Sequence, residues 1–193
     1  MIDPSQVAAI LLAAGESRRF GAEDKLAQPF RGQPLVVHAA KLLASFPFAR
    51  HIAVVSGATR ADIPPSLTQI CNPDPARGLG TSLGLGVAEA VKGEGSAISA
   101  CLVMLGDMPL VPASHIRALL GAFDPEDPLS RVGTALGGRT IVPAVFGTGH
   151  FPSLMALDGD EGARNLLRGA VGVPCDPACL QDFDRPEDFA SSD

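Results

Sequence analysis

The chain has 193 residues, 46% of them hydrophobic and 19% charged, enough to bury one good core and too apolar for a disordered chain. Its net charge of −6 excludes a broad nucleic-acid footprint, because counterion release needs a basic face. No apolar segment reaches the roughly 20 residues that a membrane-spanning helix requires, and no basic stretch precedes an apolar run at the N-terminus. One cytosolic domain over residues 1–193, without membrane or nucleic-acid partners, is expected.

Val7 to Leu12 is a short, unbroken apolar run, the pattern of a strand buried on both faces. Pro34 opens a helical pattern in which Leu35, Val36, Ala39, Leu42, Leu43 and Phe46 share one side. Strands are predicted at His51 to Val55 and Leu67 to Cys71, the second stopped by Asn72-Pro73, and a helix over Ser82 to Val91 entered through Gly78 and Gly80. Ala100 to Leu105 reads as another buried strand. Short apolar runs alternating with helices predict an α/β fold with a doubly wound, mostly parallel sheet.

Beyond Arg131 the pattern changes. Val132 to Leu136 and Thr140 to Phe146 flank Gly137-Gly138 and read as a small hairpin-like insertion. Helical segments around Phe151 to Leu157 and Glu161 to Leu167, a strand at Val171 to Val173 and a polar tail complete the chain. The nucleotide-binding part is expected in about 1–110 and an acceptor-side part in about 111–193.

The four cysteines do not suggest a disulfide framework. Cys71 and Cys101 fall on separate strands, and Cys175 and Cys179 lack two further soft ligands for a metal clip.

After the first strand comes LAAGESRRFGAEDK, Leu12 to Lys25. Its small residues allow a tight turn whose amides face an anion, and Arg19 and Lys25 add a fork-shaped and a compact positive charge suited to a polyphosphate. The loop fits neither GxxxxGK[ST] nor GxGxxG, so neither a Walker ATPase nor a Rossmann dehydrogenase is supported. Taken alone it reads equally well as a surface loop. At Gly106-Asp107-Met108-Pro109 an acid follows a buried strand, where open α/β sheets bind ligands. Asp107 is a candidate metal ligand, with capping of the helix after Pro109 as the alternative.

Together, LAAGxSxRFGxxxK and GDMP resemble the MobA-like NTP transferases, the family related to the molybdenum-cofactor guanylyl- and cytidylyltransferases. The resemblance extends from Val7 to Phe189 and implies a magnesium-dependent transfer of a nucleoside monophosphate from an NTP to a phosphorylated acceptor, molybdopterin or the molybdenum cofactor, with release of pyrophosphate. It implies catalytic roles for Arg19, Lys25 and Asp107, and nucleotide contacts at Leu12, Ala13, Ala14, Gly15, Arg19, Lys25, Ser82 and Gly106. Mg2+ is expected on Asp107. Asp184 in DFDRPEDF is either a second metal ligand or part of a solvated acidic tail, and Ser82 is either a nucleotide contact or a helix cap. Asp160 and Arg164, in a Gly-Asp-x-Gly-Ala-Arg element, fall on the acceptor side, with bracing favoured for Asp160.

Leu-Ala-Ala-Gly at Leu12 to Gly15 resembles the cytosine-using members, so Ala14 points to CTP, with GTP as the other donor. GGRTIVP ahead of Pro143 departs from the Arg-Gly-x-x-Gly-x-Pro arrangement of established molybdenum-cofactor members. The alternatives are a sugar phosphate or other small phosphorylated acceptor and, in another class, a non-catalytic cofactor chaperone or nucleotide-binding module serving a molybdenum enzyme.

Overall fold

The computed structural model describes residues 1–15, 24–57, 60, 62–93, 97–159, 165–181 and 183. In chain order, β1 (Val7–Ala13) is followed by the two-residue strands β2 (Pro29–Phe30) and β3 (Gln33–Pro34), then α1 (Leu35–Ala44), β4 (Arg50–Ser56) and β5 (Thr68–Asn72). Next come α2 (Leu79–Ala90), β6 (Ala100–Leu105), α3 (Ala113–Ala122), β7 (Arg131–Leu136), β8 (Arg139–Gly147), α4 (Phe151–Met155) and β9 (Val171–Pro174).

All seven residues of β1 are buried. Because side chains alternate across a strand, this apolar run feeds two cores. Val7, Ala9, Leu11 and Ala13 pack with α1 and α3 residues such as Leu35, Leu43, Ile116 and Leu119. Ala8, Ile10 and Leu12 pack with Leu83 and Val87 of α2 and Leu154 of α4. The result is an α/β fold with helices on both faces of a seven-stranded mixed sheet, in the order β5-β4-β1-β6-β8-β7-β9. β1, β4, β5 and β6 are parallel, β8 runs antiparallel to both β6 and β7, and β9 is parallel to β7.

The strands flanking Gly137-Gly138, β7 and β8, therefore belong to the main sheet, between β6 and the edge strand β9. Both glycines have positive φ, 55° and 76°, as a two-residue primed turn requires. A second tight turn, at Arg31 (φ 46°) and Gly32 (φ 75°), joins β2 and β3 into a separate small hairpin that the sequence pattern does not announce. Phe30 of this hairpin is buried edge-on against Phe183, centroids 4.8 Å apart.

Three boundaries differ from expectation. Pro34 stands at the N-cap of α1 rather than inside its first turn. α4 stops at Met155, short of Leu157, and most of the expected helix over Glu161 to Leu167 lies outside the described residues. α2 starts at Leu79, so Gly80, expected in the entry, is helical together with Gly84 and Gly86, while Gly78 stands at the N-cap. Glycine has poor helix propensity, but here the helix lies too close to its neighbours for a side chain. A Cβ on Gly86 would stand 2.6 Å from Ile10 Cγ2 and 3.2 Å from Val54 Cγ2, and one on Gly84 would stand 3.0 Å from the Met155 carbonyl oxygen. The far end of α2 is held by Arg50, which donates to the carbonyls of Glu89 (2.9 Å) and Lys92 (2.7 Å).

The four cysteines are free thiols. Burial pushes the Cys101 thiol well above its ordinary range, as befits a core side chain.

α3 is tied to β7 and β8 by a buried polar chain. The Thr134 hydroxyl donates to the Pro143 carbonyl (2.9 Å), so its oxygen accepts from the Nε2–H of His115 (2.8 Å). Burial lowers the His115 pKa below 6.5. The unfolded chain thus takes up this proton first as pH falls, and stability present above about pH 6.5 is lost below it. In equilibrium unfolding between pH 8 and 5, His115→Gln, which can still donate to Thr134, is expected to show a shallower loss of stability below pH 6.5 than the wild type. Gly86→Ala, ordinarily favourable in a helix, is expected to cost about 1–3 kcal/mol of unfolding free energy through overpacking.

Candidate active site

β1 connects to β4 on one side, and the chain later returns to place β6 on the other, so the β1/β6 crevice is the switch point of the sheet. Ligands of open α/β sheets bind there, outside the carboxyl ends of the strands. Leu12 pairs with Leu105, and the Gly106 amide donates to the Leu12 carbonyl at 2.9 Å, carrying the pairing one step past β6. Gly106 suits this seat: a Cβ would meet Val36 Cγ2 at 3.2 Å and the Leu12 oxygen at 3.3 Å. The Ala14-Gly15 loop and Asp107 are thereby brought to the same edge.

Lys25 reaches that edge from a one-turn 3-10 helix, Lys25–Ala27. Asp24 caps this turn by accepting from the Leu26 amide at 2.9 Å, and Leu26 is buried beneath it in the α1-side core. The Lys25 ammonium donates to Asp107 Oδ2 at 2.8 Å, joining two residues 82 positions apart. Their side chains are 12% and 20% exposed, so the pair is largely withdrawn from water yet reachable. Asp107 does not cap a helix, since α3 begins six residues later behind Pro112. Its carboxylate lies at the crevice.

Asp107 Oδ1 is buried and, among the described residues, has no hydrogen-bond partner. A buried acceptor left in that state costs about 1–3 kcal/mol, which a positive ligand removes. A carboxylate with one oxygen on a lysine and the other unsatisfied fits a hard divalent cation such as Mg2+, which completes its shell with phosphate and water oxygens. Among the described residues no three His, Cys, Asp or Glu side chains gather into an all-protein cage.

The second contributor to the edge is the β5–α2 connection. Asn72, the last residue of β5, donates to Ser82 Oγ (2.9 Å) and Thr81 Oγ1 (3.1 Å) and accepts from the Asp74 amide (3.0 Å). Ser82 is 2% exposed and lies within the first turns of α2, so it is not the N-cap, a position held by Gly78. Its hydroxyl braces the loop through Asn72. The start of α2 also touches the expected acceptor side. The Gly80 amide donates to the Gly159 carbonyl at 2.9 Å, an approach that a Cβ on Gly80, 2.7 Å from that oxygen, would block. Arg77 pairs with Asp158 at 2.7 Å beside it. Hydrogen bonding between these two raises the arginine pKa and lowers the aspartate pKa.

Among the remaining sequence candidates, Leu12, Ala13 and Ala14 are buried. The methyl of Ala14 packs with the α2-side core under the loop. Gly15 is exposed, with open space where a side chain would begin. Arg19, Asp160, Arg164 and Asp184 lie outside the described residues. The sequence does not single out Asn72 as a bracing residue, because an Asn-Pro pair reads as a strand stop. Nor does it single out Asp24, because the lysine beside it carries the motif.

The fold and the switch-point carboxylate define a nucleotide-binding α/β transferase. Residues 9–175 match the MobA-like NTP transferase domain, and the chain belongs to that family. It is a nucleotidyltransferase. The chain is 33% identical over 199 residues to the purine catabolism protein PucB of Bacillus subtilis, covering 93% of this chain and 92% of PucB. It is 30% identical over 173 residues to the nicotine blue oxidoreductase of Paenarthrobacter nicotinovorans, covering 84% and 81%. Among solved structures, Rv0371c of Mycobacterium tuberculosis superposes with a TM-score of 0.80 at 23% identity, covering 99% of this chain and 98% of Rv0371c. A manganese complex of Rv0371c matches with a TM-score of 0.69 at 20% identity over 89% of each chain. These structures share the fold.

In a Mn2+ titration followed by calorimetry, Asp107→Asn is expected to weaken binding about tenfold or more while the variant stays folded. Unchanged affinity would move the metal away from Asp107.

Proposed function

We propose that this chain catalyses transfer of a nucleoside monophosphate, CMP from CTP, to a phosphorylated acceptor of the molybdopterin class in the cytosol, releasing pyrophosphate. The carrying observation is the Lys25–Asp107 pair at the switch point, with the second Asp107 oxygen unsatisfied. An acceptor phosphate oxygen attacks the α-phosphorus. The new P–O bond replaces the bond to the β-phosphate, and pyrophosphate carries the electron pair away without a covalent enzyme intermediate.

Two anions must meet in this reaction, so charge neutralisation and orientation dominate the catalytic task. Lys25 supplies a compact cation whose three donors can be divided between Asp107 and phosphate oxygens. The exposed Gly15 backbone and Arg19 belong with the triphosphate. Asp107 and, as a second ligand, Asp184 would hold Mg2+, which when bound supplies Lewis-acid stabilisation of phosphate charge. Ser82 contributes to the nucleotide pocket through the loop it braces. Asp160 and Arg164 belong with the acceptor side, adjoining in sequence the Asp158-Gly159 segment that meets α2. Donor binding falls to about residues 1–110 and acceptor binding to about 111–193.

The choice of CTP rests on Ala14. Its packed methyl raises the floor of the loop relative to glycine, a difference whose reach is about 10–200-fold for one methyl group. Ala14→Gly is therefore expected to lower the CTP-to-GTP ratio of kcat/KM by about tenfold, measured by pyrophosphate release. An unchanged ratio would detach donor choice from this residue.

Lys25→Ala is expected to lower kcat by about 100-fold or more with the melting temperature little changed. Wild-type turnover in that variant would remove the proposed catalytic role. An acceptor screen with CTP, GTP and Mg2+ tests the acceptor. Pyrophosphate released only with sugar phosphates would replace the molybdopterin assignment. None with any acceptor, despite nucleotide binding, would favour the non-catalytic binding module.

A further inference from the structure

Arg60 lies far from the recognised motifs, yet its contacts lead to Lys25. The Arg60 backbone is held from β5: Gln69 Oε1 accepts from the Arg60 amide at 2.8 Å, and Gln69 Nε2 donates to the Arg60 carbonyl at 2.9 Å. Its guanidinium grips Asp62 in a fork, Nε to Oδ1 at 3.2 Å and Nη2 to Oδ2 at 2.8 Å, and turns Nη1 to Asp24 Oδ2. Asp24 is thus used twice. One carboxylate oxygen holds Arg60 and the other caps the turn that begins with Lys25.

We infer that Arg60 is a positioning residue for Lys25, acting through the Asp24 cap. The side chain of Arg60 is 13% exposed and that of Asp24 48%, so the guanidinium is largely withdrawn from water while the carboxylate it grips stays open to it, and the weight falls on the fork geometry rather than on burial of the pair. A rigid fork fixes direction as well as charge, which a lysine at this position does not reproduce. Both oxygens of the carboxylate beside Lys25 are thus engaged, Oδ1 by the Leu26 amide and Oδ2 by Arg60, while the Lys25 ammonium donates to Asp107. A cap tethered from β5 also makes Lys25 part of the sheet framework instead of a side chain on a loose turn.

The catalytic consequence rests on the transferase reading above, and the test separates the two. Arg60→Met is expected to speed amide hydrogen exchange in residues 24–28 severalfold relative to the rest of the chain, with the melting temperature little changed. It is also expected to lower kcat for pyrophosphate release about tenfold with KM for CTP within twofold, and Arg60→Lys is expected to fall between it and the wild type. In the Lys25→Ala background the same substitution should lower kcat less than twofold, because the residue through which it acts is gone. Unchanged exchange over residues 24–28 overturns the inference, as does a full tenfold loss in that background. If the wild-type protein transfers no nucleotide, the transferase reading fails, while the exchange measurement still decides whether Arg60 orders the Lys25 turn.

Discussion

Burial of β1 on both faces is the constraint from which the rest of the structure follows. A strand with seven buried side chains must lie between two layers of helices and be paired on both edges, since unpaired backbone groups would have no water to meet. β4 and β6 supply those edges in parallel register. The pairing of β1 stops at Ala13, and after the buried Ala14 the chain emerges at the exposed Gly15. The same register ends β6 at Leu105 and leaves Gly106-Asp107 beside the emerging loop. The crevice is therefore a product of core packing, and the charged residues are mounted on its rim.

Mounting them takes two kinds of device. Glycine allows closeness: Gly106 lets its amide reach Leu12, and the helical glycines of α2 let that helix lie against β1, β4 and α4. Side-chain hydrogen bonds then fix the loops. Asn72 gathers Asp74, Thr81 and Ser82 where β5 meets α2, and Asp24 closes the turn under Lys25. Each device gives up something locally, helix propensity in one case and ordered polar side chains in the other. Each gains placement of a group at the sheet edge.

The central strands were legible because a strand buried on both faces leaves an uninterrupted apolar run, and β6 was predicted at its observed bounds. Lys25 and Asp107 were legible singly, each from its motif. Their contact was not, since nothing in the spacing of two residues 82 apart specifies a hydrogen bond. The β2–β3 hairpin escaped because strands of two residues carry no periodicity and one of its turn positions is an arginine at positive φ. The start of α2 was misplaced because glycine normally signals a loop, and only the tertiary packing shows that these positions need the missing Cβ. The Arg60 network was invisible for a related reason: its partners come from β5, from the Lys25 turn and from its own loop, and no local pattern unites them.

The charge arrangement explains how an acidic chain can host an anionic ligand. The net charge of −6 repels a polyphosphate at long range, but that repulsion is screened within about 10 Å at ordinary ionic strength. Short-range contacts at the crevice decide the outcome. There Asp107 has a lysine on one oxygen, and its other oxygen is withdrawn from water without a partner. A carboxylate in this condition attracts a cation, and a divalent cation reverses the local sign of the field. On the transferase reading proposed above, the acidic residue is thus what would make the site receptive to phosphate, with Lys25 holding it in place beforehand. Removing the negative charge in search of a more favourable pocket for an anion would remove the ligand on which the positive field depends.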